Sequence, residues 1–530
     1  MFDGKILDTS YTIADGFTEF LAATVASDKK ENRDGYNFSG ELLFRKRFKT
    51  AGRTFTLGWR HSKGDFNTNS SNRAPVRTFF ADGSLAYLKN IDQEGLLDNE
   101  SAGQTISASY TEPVGKSKLL EFNYAYSNTN NISDKKTYDF DPASGKYSLI
   151  NLQQTNFFDY DNISNRAGIN FRHHIKKFNY QLGISAQLSE LRNHSIMPVS
   201  GKDTTIVQRF TNFFPTANLA YAITKTKNVR LYYRGRTNAP NVNQLQDVPD
   251  ISNPLQIRTG NPLLKQEFIH NMNLNFNSFA IKSQQFFSAA FSMTFTGNKI
   301  VNTIDTLGQA VLIYKPENIN GSYSGTGMIS FNFPVKKFKG LNINLVNMSF
   351  YSRDASLVLK QKNITKILQL NQSAGVTYGK DKFDLSVSGG FVYNLVAYNL
   401  NQGNDTKYFN QAYSADFTYR FKNRFFFLTD FDYYINSGRT SGFNRNIFLW
   451  NMSVAKKLLK TNMLEIKFTI YDLLKQSDGI NRNVGENYFE DIRTNVVPRF
   501  YMLTLSYNLN KFGGNKKQKA EPAPQMMMFK

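Results

Sequence analysis

Five histidines, His61, His173, His174, His194 and His270, are the side chains here best suited to moving a proton or binding a metal near neutral pH. Either task needs partners at set spacings, and the chain supplies none. It has no HExxH helix, no GxSxG nucleophile turn and no glycine-rich phosphate loop. His173 and His174 are adjacent, so on a strand they point to opposite faces and do not share one metal ion. There is no cysteine, which excludes disulfides, thiolate metal sites and cysteine nucleophiles. The best-placed carboxylates are Asp430 and Asp432, two residues apart and therefore on one strand face. With no local histidine, they read as polar lining and not as an acid–base pair. The residues thus offer no catalytic, cofactor or metal site, and the chain is expected not to be an enzyme.

The elements around these residues have a consistent pattern. Aromatics make up 14% of the 530 residues, with 46 Phe and 28 Tyr, yet the mean hydropathy is -0.45. No apolar run approaches the roughly 18 residues of a membrane helix. Apolar and polar residues alternate instead with a period of two. Phe383, Leu385, Val387, Gly389, Phe391 and Tyr393 interleave with Asp384, Ser386, Ser388, Gly390, Val392 and Asn394. Met272, Leu274 and Phe276 interleave with Asn271, Asn273, Asn275 and Asn277. Phe425, Phe427, Phe431 and Tyr433 interleave with Asp430 and Asp432, and Leu503 and Leu505 with Thr504 and Ser506. The strands run to ten residues or more, longer than the usual globular strand of about 5–6 and long enough for a tilted bilayer crossing of roughly 9–11.

Turns repeat the same message. Tight basic connections are predicted at 45–53, 111–118, 173–178, 224–228, 334–340, 379–382, 421–424 and 456–462. Longer stretches rich in Asn, Asp, Gly and Ser, such as 128–162 and 401–407, alternate with them. The expectation is an all-β fold, a transmembrane antiparallel β-barrel of about 20–22 strands, with short periplasmic turns and long extracellular loops. Residues 1–34 form an N-terminal segment, the end of an earlier strand or loop. Residues 35–511 form the barrel, and 512–530 a C-terminal tail. The net charge of +22 falls largely in the short turns, where Lys and Arg sit in water at the membrane interface. Aromatics and charges lie on opposite faces, so no stacking groove for nucleic acid is expected.

Residues 257–267 read IRTGNPLLKQE. This resembles the GNPxLKPE signature of TonB-dependent receptor barrels, matched at Gly260, Asn261, Pro262, Leu264, Lys265 and Glu267, with Gln266 in place of the usual proline. Residues 236–255 are similar to the preceding loop in a Bacteroidetes-type outer-membrane β-barrel family. Residues 471–476 (YDLLKQ) resemble a late strand end of the same receptors, and 508–514 (NLNKFGG) their closing strand. The matches keep the family's order, and the likeness covers the barrel portion only. In the signature, glycine tolerates positive φ and proline lacks an amide donor, so a loop-to-strand hinge is expected, with Leu264 opening the next outward face.

The resemblance implies an integral, multi-pass barrel in the bacterial outer membrane, taking up a ligand through extracellular loops. Its partners would be outer-membrane lipid and lipopolysaccharide, an extracellular ligand, and the TonB energy-transducing complex through an N-terminal part. No signal peptide, plug or coupling segment is recognised in this chain, and the ligand-binding residues are unknown from the sequence. The alternatives are a non-transporting barrel, acting as adhesin or scaffold for a surface partner, and an outer-membrane enzyme.

Overall fold

The computed structural model describes residues 2–12, 20–80, 82–250, 256–307, 311–400, 406–437, 446–459, 462–477, 479–484, 489–494 and 496–508. The expected tail 512–530, most of loop 401–407 and residues 509–514 of the closing motif lie outside them.

One 24-stranded sheet dominates. Four short strands, Lys146–Ile150, Gln256–Arg258, Lys299–Leu307 and Val311–Ile319, branch from it. The remaining twenty form an up-and-down antiparallel meander, each strand paired with the next, from Phe2–Thr12 to Phe500–Tyr507. A strand such as Phe383–Tyr398 extends because its alternation gives each face one solvent. Leu385, Val387 and Phe391 are 37%, 46% and 41% exposed; Leu385 is flanked in register by Tyr378 and Phe417, and Val387 by Val376 and Ala415.

Register makes this faced character continuous. Val376, Val387, Ala415, Phe431 and Trp450 are paired in one row across five strands. The next row, on the opposite face, reads Gly375, Ser388, Ser414 and Asp432. The apolar face is the one a bilayer covers, and the polar face lines a lumen. Aromatic pairs border the apolar face towards both ends. Tyr378 and Phe383 have ring centroids 5.5 Å apart at one end, and Tyr323 and Tyr351 are 6.1 Å apart at the other. Such girdles mark the two interfaces of a membrane barrel. Among the described residues no helix is long and apolar enough to cross a membrane.

All eight basic connections fall between paired strands at one end of the meander. Several are two-residue turns that need positive φ, supplied by Ser117, Lys176 and Asp381. The 335–340 turn uses Gly340 (φ 93), where a Cβ would stand 2.3 Å from the Gly379 carbonyl oxygen. A ninth short turn lies at 281–284, where IKSQ carries one lysine and so lacks the basic clustering of the other eight.

At the other end the structure corrects the sequence reading. Residues 128–141 and 156–162, expected within a loop, are strand, paired from Lys118↔His173 through Lys135↔Asn156. These polar strands carry a loop-like sequence because, beyond a membrane, both faces meet water and the alternation vanishes. Phe20–Arg47, Thr54–Phe79, Leu85–Gly115 and Lys118–Asp141 have 28, 26, 31 and 24 residues, well over the roughly 9–11 of a crossing. They stand far out of the bilayer as a wall. Phe20–Arg47 passes through positions 34 and 35 without interruption.

At the tip of this wall a carboxylate closes the turn. The Asp141 carboxylate accepts hydrogen bonds from the Ala143 amide (2.9 Å) and the Ser148 hydroxyl (3.3 Å). Hydrogen bonds, those from Ser144 and the Ala143 amide foremost, lower its pKa from 3.8. A depressed folded pKa stabilises the turn above the ordinary value, and that contribution is lost as pH falls through the folded one. Amide exchange at Ala143 and Gly145, corrected for intrinsic rate, is expected to be flat from neutral pH to about 4.5 and to rise below it. Asp141→Ala should speed it at neutral pH and abolish the rise; an unchanged profile in the variant would contradict the assignment.

Candidate functional site

The signature segment lies at the long-loop end, between strands Lys227–Asn238 and Glu267–Ala280. The chain between them makes one helical turn, Val242–Leu245, and the short strand Gln256–Arg258; residues 251–255 lie outside the described residues. Asn241 caps the helical turn, accepting from the Gln244 amide at 2.9 Å. Gln256–Arg258 pairs in parallel with Val311–Ile319. That strand forms a hairpin with Lys299–Leu307, which in turn touches Leu341–Val358 at Thr303↔Leu357.

Loop and hairpin are locked together by the signature residues. The Gly260 amide donates to the Gln246 carbonyl at 2.7 Å, and the Asn261 amide to that of Gln244 at 2.6 Å. A Cβ on Gly260 would lie 2.2 Å from the Gln246 oxygen. Glycine is therefore required by close backbone approach; its φ is not positive, contrary to the sequence expectation. The Asn261 side chain donates to the Pro316 carbonyl (3.0 Å) and accepts from the Leu263 amide (3.0 Å), which holds the turn at Pro262. Asn318 brackets Lys265, accepting from its amide (2.8 Å) and donating to its carbonyl (3.0 Å). Glu267 starts the next strand; its carboxylate accepts from the Ile300 amide and from Asn238, both at 2.8 Å. Gln266, the departure from the family pattern, donates to the Ser189 hydroxyl (3.2 Å) and accepts from Asn212 (3.3 Å).

Leu264 does not open an outward face. It is 1% exposed and packs with Leu245 against Phe158, Tyr160 and Leu191. On strand Phe178–Met197, Leu182, Ile184 and Leu188 are exposed, whereas Ser185, Ser189, Leu191 and Asn193 are buried. The loop thus covers the polar face and folds onto the lumen side. In a molecule whose apolar residues mostly face outward, this is an apolar core built inside, anchored by signature residues. Sequence reasoning missed it because Phe158, Tyr160 and Leu191 come from strands far earlier in the chain.

The histidines are scattered. His173 shares a hydrogen bond with the Tyr180 hydroxyl (3.2 Å) beside a short turn, His194 with Asp203 (2.7 Å) at the far end, and His270 with Tyr233 (2.8 Å). His61 stacks on Trp59, ring centroids 6.0 Å apart. Among the described residues no group of three His, Cys, Asp or Glu could hold a metal ion. Asp430 and Asp432 do share the polar face, and register adds Asp416 opposite Asp430. Asp430 accepts from Asn451 (2.6 Å) and Asp432 from Ser414 (2.6 Å). Among the described residues its hydrogen-bond partners are the Asn451 amide and the Ser414 hydroxyl, with no imidazole beside them.

A meander with one lipid-facing side, one polar lumen side and short turns at one end defines an integral outer-membrane β-barrel. The chain belongs to the outer membrane protein beta-barrel family, whose model matches residues 46–507, and its place is accordingly the bacterial outer membrane. No curated protein matches the sequence. Solved structures that resemble it include the copper transporter OprC (10% identity, TM-score 0.42, 95% of this chain and 80% of that one). Others are the ferric citrate transporter FecA in its unliganded form (12%, 0.42, 92% and 70%) and the siderophore receptor PiuA from Acinetobacter baumannii (9%, 0.38, 95% and 81%). Likeness at this level carries no argument about what the chain binds.

Proposed function

We propose that the chain is the barrel of an outer-membrane receptor of the TonB-dependent type, which takes up a ligand across the outer membrane. The observation that carries this reading is the ordered set of receptor-like motifs on a twenty-strand meander of an outer-membrane family. The tall wall and the extracellular loops would capture the ligand. The loop pinned by Gly260, Asn261, Pro262, Leu264, Lys265 and Glu267 would act as a hinge and strut on the lumen side and not as a ligand contact. Energy would come from an inner-membrane partner through a coupling segment; the barrel supplies the path. In this role the Asp416–Asp430–Asp432 row is polar lining, and the chain is not an enzyme.

Accumulation of labelled ferric chelates, oligopeptides and oligosaccharides by cells with and without the gene tests this. Uptake of at least one class that needs the gene and collapses with a protonophore is expected. Gene-dependent passage indifferent to the protonophore would make the chain a passive pore. No gene-dependent uptake would leave a non-transporting barrel.

A further inference from the structure

Strand Lys227–Asn238 carries Arg230, Tyr232, Arg234 and Arg236 at alternate positions. Arg234 pairs with Thr216 on one side and with Asn271 on the other. Thr216 bonds to Asn170, and Asn271 belongs to the asparagine face, so these positions line the lumen. Arg166 joins them from three strands before, its guanidinium 4.4 Å above the Phe214 ring. Other arginines on the polar face are matched by acids: Arg60 by Glu41 at 2.9 Å and Arg420 by Asp384. None of Arg166, Arg230, Arg234 and Arg236 is in an ion pair among the described residues.

Between Arg166 and Asn277 the chain's carboxylates are Glu190, Asp203, Asp247, Asp250 and Glu267. Glu190 is held by Arg209 (2.8 Å), Asp203 by His194 (2.7 Å) and Asp247 by the Thr259 hydroxyl (2.9 Å). Glu267 is taken by Ile300 and Asn238, and Asp250 sits in the loop bridged to Arg258. One further carboxylate on this face, Glu121, lies four strands away and accepts from the Asn170 side chain at 2.9 Å. In register, Asn271 and Asn275 oppose Arg234 and Arg230, Asn273 opposes Tyr232, and Ile269 opposes Arg236. Arginines two positions apart on a strand are about 6.6 Å apart, the reach of a small molecule with two or three anionic groups. Guanidinium forks bind carboxylate and phosphate in bidentate fashion, and neighbouring amides add hydrogen bonds to the rest of the ligand.

We propose that this lumen wall is a binding site for a small solute bearing several carboxylate or phosphate groups, with Arg234 and Arg236 as its principal contacts. As an assignment of substrate class it rests on the uptake reading, but its test does not involve uptake. Purified chain in zwitterionic detergent is titrated calorimetrically with inorganic pyrophosphate, with sucrose as the neutral control. Saturable binding that weakens with salt is expected. The R234Q/R236Q variant should weaken it at least about tenfold, while K336Q/K337Q in a short turn leaves it unchanged. No binding, or equal binding by wild type and R234Q/R236Q, overturns the site. Should that variant fail to assemble, the reversal potential of the wild-type chain in a planar bilayer under a KCl gradient decides. Anion preference supports the wall and cation preference overturns it. Failed uptake with intact pyrophosphate binding would remove the transport reading alone, and the converse result would remove this inference alone.

Discussion

Val387→Arg is expected to block assembly into the outer membrane, whereas Ser388→Arg, one residue on, assembles. Val387 is 46% exposed on the apolar face and sits in the row with Val376, Ala415 and Phe431. Val387 lies five residues above Lys382 in its short turn. At 3.3 Å per residue and a tilt near 45°, that is roughly 12 Å, close to the middle of an apolar band about 25 Å tall. An arginine there costs about 2–4 kcal/mol, against about 0–1 kcal/mol near an interface. Ser388 faces the lumen in the row with Ser414 and Asp432, so its arginine stays in water beside a carboxylate. Heat-modifiable migration of outer-membrane fractions reads the result; equal damage from both substitutions would contradict the division into faces. The same logic ranks Phe427 and Leu505. Both are on the apolar face, but they pair with Tyr419 and Ile466 near the short-turn end, so an arginine at either should be milder than at Val387.

The second large effect is expected at Leu264. Leu264→Ala removes a side chain that is 1% exposed from the cluster of Phe158, Tyr160, Leu191 and Leu245, which costs about 2–5 kcal/mol in a core that does not collapse. That cost falls on the loop and not on the barrel, because the ladders on either side do not depend on it. Limited proteolysis should therefore cut variant protein within 239–266 at concentrations that leave wild type intact, with heat-modifiable migration preserved. Gly260→Val should act the same way, since its Cβ would meet the Gln246 carbonyl oxygen at 2.2 Å. A loop as resistant in both variants as in wild type would show that the clasp does not hold it.

The fold was legible where one face met lipid and the other water. The interleaving of Leu385, Val387 and Phe391 with Ser386 and Ser388 gave the strand and its orientation together, and basic residues marked eight short turns. Legibility failed where that contrast is missing. Residues 128–141 are strand with water on both sides, so their Asn, Ser and Asp read as loop. The 281–284 turn has a single lysine and went unseen. At the signature, the pattern located the strand start at Glu267 but misassigned Gly260 and Leu264. Their roles depend on Gln246 and on Phe158, Tyr160 and Leu191, partners that no local spacing announces. The arginine column runs through 230–236 as R-x-Y-x-R-x-R, but its meaning waits on register, which sets Asn271 and Asn275 beside it.

The absence of cysteine makes the most direct test clean. Single cysteines introduced in turn from Asp384 to Tyr393 would be labelled in intact outer membranes with a water-soluble, bilayer-impermeant maleimide. The account predicts period-two labelling, strong at Ser386, Ser388 and Val392 and weak at Leu385, Val387 and Phe391. Uniform labelling, or labelling in a run of consecutive residues, would contradict a strand with one face in lipid and the other on a water-filled lumen.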